Sequence, residues 1–262
     1  MRLHKLEPKL LLSEAIGTAL LLFFGLSIVI FNWGEGSVVA KMIPSQGARR
    51  LITGFLFGTV GCLVTLSPVG KWSGAHINPA VSLAFWLAGK MNSYTMLRYI
   101  AAQMIGAVVG CVPLLLWGKT GSSIEYGITL PGEAGLRVAF MGEVITSACL
   151  IFYLYIFVGT EKLRAYTPYG IPILYCLLTW AEAPYSGCST NPARSFGPAV
   201  IANDFHFYWM YWIAPVTGAL IVTGFFRIPI IRRLFHMKSA RVSYHDHPTP
   251  ETLKKGIVPS GR

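Results

Sequence analysis

Six stretches of this chain, at about residues 10–31, 51–69, 94–117, 136–158, 170–183 and 207–228, are apolar over lengths that match a lipid bilayer. A hydrocarbon core about 30 Å thick takes about 20 mainly apolar residues per helix. The fifth stretch is short by this count and is expected to extend at its ends. A backbone in hydrocarbon has no water to satisfy its N–H and C=O groups, so spans of this length fold as helices. Composition agrees: charged residues are 13% of the 262 and mean hydropathy is +0.54, against roughly 25% charged residues in soluble domains. That balance excludes a disordered chain, a collagen-like chain and nearly every soluble enzyme. The first run carries Glu14 and is too long for the apolar centre of a signal peptide, so it reads as a retained span.

The formal net charge of +11 is not a nucleic-acid footprint, because the basic residues cluster between and beyond the apolar runs rather than along one face. Sixteen Lys and Arg fall on one side of the alternating spans and five on the other, with Arg194 set apart. By the positive-inside rule both termini are then cytoplasmic. The expected organisation is a cytoplasmic N-terminus (1–9), two halves (10–120 and 136–230) and a cytoplasmic tail (236–262). The tail, with Pro248, Pro250 and Pro259 among polar residues, is expected to be disordered. Cys62, Cys111, Cys149, Cys176 and Cys188 have no short-spaced pairing, so neither a metal site, a cofactor nor a disulfide framework is indicated.

Two further apolar stretches, 77–88 and 192–202, are about half the length a span needs. Each carries the tripeptide Asn-Pro-Ala at or next to its start: Asn78-Pro79-Ala80 and Asn191-Pro192-Ala193, 113 positions apart. Ser13-Glu14-Ala15 and Gly142-Glu143-Val144 open the two halves in the same way. Each half has three full spans, an odd number, so the second enters the membrane upside down relative to the first. The short helices then approach from opposite faces and meet near the midplane.

Asn is a good N-cap and Pro is favoured at the first helical position, so each Asn-Pro-Ala marks a helix start. A helix N-terminus carries about half a positive charge, and two facing starts form a barrier to cations and protons in the centre of the membrane. Asn78 and Asn191 add amide donors that turn the oxygen of a passing water toward themselves. A neutral polar molecule passes such a barrier.

The segments from Ser73 to Val81 and from Asn191 to Pro198 resemble the two signature loops of the aquaporin (major intrinsic protein) family, and the resemblance spans about residues 10–230. It implies an all-α integral membrane protein of six transmembrane helices and two re-entrant half-helices, assembled as a homotetramer with one pore per subunit. It also implies a selectivity filter near the outer mouth, which by position here takes Phe57 or its neighbour Gly58, Thr179, Cys188 and Arg194. Lys71-Trp72 lengthens the link to Ser73 by one residue relative to the usual pattern. Cys188 resembles the filter cysteine that confers mercury sensitivity on several members.

Thr179 is the main departure, since the water-conducting branch usually has histidine there and the glycerol-conducting branch glycine. A smaller residue widens the filter, whereas a slip of one position would put Trp180 there and close it. Glu182, one turn further on, is either a carboxylate at the mouth near Arg194 or, as favoured here, a solvated residue at the helix end. Ser195, Ala199 and Tyr211-Trp212 resemble the water branch. Glu14 and Glu143 are read as acceptors for the irregular backbone before each half-helix, in preference to a proton relay. His76 is read as loop-packing or pore-lining, and Gly106 and Gly110 as a small-residue packing face.

The function expected is a passive channel for water, with small neutral solutes admitted to the extent that Thr179 widens the filter. A facilitator of glycerol or a similar neutral solute is the alternative. An ion-coupled secondary transporter is more remote, because no intramembrane carboxylate is left free to bind a coupling ion, and no nucleophile–base pair suggests an enzyme. The short termini suit a bacterial inner or plasma membrane.

Overall fold

The computed structural model describes residues 2–234, with side chains from 8 to 231. The tail expected to be disordered lies outside the described residues. Eight helices carry the architecture: α1 (Arg2–Trp33), α2 (Gln46–Leu66), the half-helix α3 (Pro79–Leu87), α4 (Ser93–Cys111), α5 (Leu136–Gly159), α6 (Thr167–Ser186), the half-helix α7 (Pro192–Ala202) and α8 (Met210–Arg227). Shorter helical turns connect them, and no strand occurs among the described residues.

Boundaries follow local chemistry. Ser45 caps α2 by accepting from Ala48 N at 3.3 Å, and Asn92 caps α4 by accepting from Thr95 N at 2.7 Å. The third span was expected to run to residue 117, but the α-helix stops at Cys111 and a 3₁₀ segment, Val112–Trp117, continues it. Pro113 has no N–H to offer to the α ladder, which favours the change of pitch. The helix α1 begins before the first span, at Arg2, while its membrane-length apolar part starts at Pro8, close to the expected residue 10. The short fifth stretch does extend at both ends into α6. Five of the six spans are both long and apolar enough to cross a membrane; α6 has the length, at 20 residues, but not the hydropathy.

The helices pack as two mirrored sets. In the first half α1 lies against α2 and α4, and in the second α5 lies against α6 and α8. The halves are joined where α2 packs along α6, and each half-helix leans on the last span of the opposite half, α3 on α8 and α7 on α4. An apolar cluster surrounds each half-helix: Val81, Ala84 and Phe85 of α3 pack with Leu150, Leu154, Tyr155, Val222 and Phe226, while Ala193 of α7 packs with Leu22, Leu26, Ala107 and Cys111. The outward faces carry Leu12, Phe24, Leu63, Leu97, Ile105, Ile145, Ile173, Ile213 and Ile221, all exposed. An apolar surface of this extent requires lipid.

The small-residue face on α4 is a packing device, as expected. A methyl group at Gly106 would lie 2.2 Å from Ala15 O, and one at Gly110 2.3 Å from Ala19 O. The α1 backbone therefore occupies the space of a side chain. Gly106→Leu is expected to lower the midpoint of thermal unfolding in detergent clearly, in line with an overpacking cost of at least about 1–3 kcal/mol. Val109→Leu, at an exposed position on the same helix, should leave the midpoint unchanged.

Candidate functional site

The two half-helices meet N-terminus to N-terminus. Asn78 precedes α3 in an extended conformation (φ −156°, ψ 120°) and Asn191 precedes α7 likewise (φ −147°, ψ 108°). Asn78 Oδ1 accepts from Ala80 N at 2.8 Å, and Asn191 Oδ1 accepts from Ala193 N at 3.0 Å and from Arg194 N at 3.3 Å. With both oxygens committed to capping, both amide nitrogens turn across the junction. Asn78 Nδ2 donates to Thr190 O and Asn191 Nδ2 donates to Ile77 O, each at 2.9 Å. An amide nitrogen carries two N–H groups, so this reciprocal pair uses one from each residue and leaves one. Both asparagines border a cavity of about 60 Å³ that Val81, Leu150 and Leu154 also line.

The backbone before each cap is irregular in the same way. Ala75, Ile77, Cys188 and Thr190 all have positive φ, between 42° and 54°, a conformation disfavoured for non-glycine residues. Two buried carboxylates hold it. Glu14 accepts from His76 N at 3.0 Å and Ile77 N at 2.7 Å, while Glu143 accepts from Ser189 N at 2.6 Å and Thr190 N at 2.8 Å. Gln103 Nε2 also donates to Glu14 and Ser186 Oγ to Glu143, at 2.7 and 2.6 Å. These bonds match the acceptor reading of Glu14 and Glu143, since the carboxylates are occupied by loop donors.

The repeat reaches further upstream than the tripeptides. Ser73-Gly74 and Ser186-Gly187 both end a helix, with the glycines at φ 91° and 84° as left-handed caps. Ser73 Oγ accepts from Ala75 N at 3.1 Å and Ser186 Oγ from Cys188 N at 3.2 Å. Tyr99 donates to Ser73 O at 3.0 Å, and Tyr211 to Ser186 O at 2.7 Å. The pattern Ser-Gly, three residues, Asn-Pro-Ala was present in the sequence and could have been read there. His76 is buried, its Nδ1 3.1 Å from Ser82 Oγ, between the rings of Phe85 and Tyr99, and it also borders the small cavity. Ser195 shares hydroxyl contacts with Thr129 at 2.7 Å and Ser189 at 2.6 Å.

A larger cavity of about 340 Å³ lies on the other side of Arg194, and Phe57, Thr179, Cys188 and Arg194 all border it. Arg194 is buried, and its Nη1 donates to Gly127 O at 2.7 Å, a neutral partner that leaves its charge in place. Gly58 borders the small cavity but not the large one. Trp180 is 51% exposed and its indole nitrogen lies near Gly47, away from both cavities, so Thr179 faces the large cavity. Glu182 is not the solvated residue expected at a helix end. It is buried against Gly142 of α5, outside the cavity lining, and neither of its carboxylate oxygens has a hydrogen-bond partner among the described residues. The extension of α6 to Ser186 accounts for the error, because it leaves Glu182 inside the helix rather than at its end. The sequence reading also missed Tyr175, which borders both cavities.

A family model described as major intrinsic protein matches residues 4–226. The lens fiber major intrinsic protein of Lithobates pipiens is 33% identical, over 87% of this chain and 86% of that protein. Aquaporin Z of Photorhabdus laumondii is 28% identical over 83% and 96%, and aquaporin TIP4-4 of Zea mays 32% identical over 82% and 85%. The crystal structure of the aquaglyceroporin from Plasmodium falciparum superposes with a TM-score of 0.71 over 88% of this chain and 99% of that one, at 22% identity, and so shares the fold.

The carboxylate anchors make a direct stability prediction. Glu143→Ala strips the buried Ser189 and Thr190 N–H groups of their acceptor, at about 1–3 kcal/mol per orphaned donor. Its unfolding midpoint in detergent should fall well below that of the wild type. Glu143→Gln, which keeps one acceptor oxygen, should fall between them; equal midpoints for all three proteins would remove the anchoring role.

Proposed function

The chain belongs to the major intrinsic protein family, and from that premise we propose that it is a passive transmembrane channel that conducts water while excluding protons and ions. As a member of that family it is a channel rather than an enzyme. The observation that carries the reading is the head-to-head pair Asn78 and Asn191 beside a small cavity that Val81, Leu150 and Leu154 also line.

The mechanism follows from the donors. A water at the junction receives the remaining amide N–H of each asparagine and turns its oxygen toward them. Its own hydrogens then point away along the pore in both directions, because both donors hold its oxygen. A hopping proton needs a continuous donor-to-acceptor chain, and this water interrupts it. The two half-helix starts add about half a positive charge each at the same depth. The buried Arg194, whose Nη1 donates to a carbonyl, adds positive charge outside it and repels cations before they reach the junction. Phe57, Thr179, Cys188 and Arg194 form the selectivity filter in this reading, and Asn78, Pro79, Ala80, Asn191, Pro192 and Ala193 the central constriction.

A second reading, passage of glycerol or another small neutral solute, is favoured by one observation: the small side chain of Thr179 borders an outer cavity of about 340 Å³. Aquaporin Z and the aquaporin of Zea mays carry names from the water side of the family, and the structural neighbour is called an aquaglyceroporin. The assembly in this reading is a homotetramer in the lipid bilayer, supported by the broad apolar outer face. Both termini are cytoplasmic, supported by the excess of Lys and Arg on that side, and the membrane is a bacterial inner or plasma membrane.

The test is stopped-flow light scattering on proteoliposomes. Under a sucrose gradient the protein should shrink vesicles much faster than lipid alone, with no dependence on a proton or sodium gradient; a rate equal to that of empty vesicles overturns the reading. A thiol-reactive mercurial should block the flux, and Cys188→Ser should conduct in its presence. Arg194→Val should admit cations that the wild type rejects, measured as an increase in vesicle conductance.

A further inference from the structure

Three residues border both cavities: Phe57, Tyr175 and Arg194. They therefore ring the passage from the outer cavity to the asparagine junction. Thr179 and Cys188 border only the outer cavity. Tyr175 lies four residues before Thr179 on α6, hence on the same helix face and about 6 Å further along the axis.

The Tyr175 ring is held from two sides. Its ring stacks on that of Phe57, with centroids 6.3 Å apart and planes at 29°, and the Phe57 ring itself packs directly against Gly25 of α1. Its hydroxyl lies 2.8 Å from Thr190 Oγ1. Thr190 immediately precedes Asn191, and its N–H is fixed by Glu143 at 2.8 Å. The phenol thus spans from α6 to the loop that delivers the second asparagine, and it cannot swing away without breaking both contacts. The cavity on its outer side is about 340 Å³ and the one at the asparagine junction about 60 Å³, room for a few waters.

We infer that Tyr175 sets the solute cut-off of this pore, one helical turn deeper than Thr179, passing water and rejecting polyols such as glycerol that enter the wide outer cavity. The inference rests on the channel reading above and decides between its two forms. The small Thr179 side chain does not make the pore permissive, because the size barrier that a larger residue would form there is supplied by the Tyr175 ring instead. The hydroxyl serves as the tether that keeps the ring in place.

The experiment measures osmotic water permeability and glycerol uptake on the same proteoliposomes, for the wild type and for Tyr175→Ala, Tyr175→Phe and the double variant Tyr175→Ala with Thr179→His. Wild type should conduct water and exclude glycerol. Tyr175→Ala should raise glycerol uptake relative to water by about tenfold or more, the scale on which a site discriminates by size. Tyr175→Phe, which keeps the ring and loses the tether, should fall between the two. The double variant should exclude glycerol again, because the histidine restores a barrier one turn outward. If Tyr175→Ala does not fold, Tyr175→Val is read in the same way. The inference is overturned if the alanine or valine variant conducts water and still excludes glycerol, or if wild type already admits glycerol as fast as that variant. A wild type that moves neither water nor glycerol overturns the channel reading instead.

Discussion

Backbone N–H groups without water nearby must find acceptors, and in this protein that constraint is concentrated at one depth. Two helices start in the middle of the membrane, so the backbone leading into each is not helical and its N–H groups have no ladder partner. Lipid offers it nothing. Glu14 and Glu143 supply the missing acceptors, two loop N–H groups each. With those four bonds in place the alternating left-handed residues before each asparagine are held, the asparagines cap their helices, and their amides face across the junction. Without them neither half-helix start would have a fixed position, and the pore would have no centre.

The remaining design separates charge from size. Exclusion of ions draws on helix starts and a buried arginine, which act at a distance and tolerate small shifts in neighbouring side chains. Rejection of neutral solutes has no such field to use and depends on which rings project into the passage. The helix starts are repeated by symmetry in both halves. The residues that ring the passage are not: Phe57, Tyr175 and Arg194 come from α2, α6 and α7, and nothing in the mirrored positions duplicates them.

Much of this was legible in the sequence because bilayer thickness and helix capping are local constraints. Apolar length gave the spans, and two matched Asn-Pro-Ala tripeptides gave the half-helices, with α7 beginning and ending where the apolar stretch did. The partners of Glu14 and Glu143 followed from mirrored position and the need for acceptors. Glu182 was misread because a carboxylate near an estimated helix end is usually solvated, and only the extra turn of α6 shows that it is enclosed against Gly142. Tyr175 was passed over because the expected filter position was found by counting back from the signature loop, and a count identifies one residue rather than the next turn of the same face.

What the sequence determined by itself was therefore the framework: the membrane, the number of spans, the inverted repeat and the two positive helix starts facing each other. These rest on periodicity, chain length and capping chemistry, which a linear chain displays openly. Tertiary structure alone decided which side chains border the passage. That depends on how α6 is rotated against α2 and on the loop that Thr190 and Glu143 hold beside it. Those contacts join residues 15 to 118 positions apart, and their register is set by packing rather than by any local pattern.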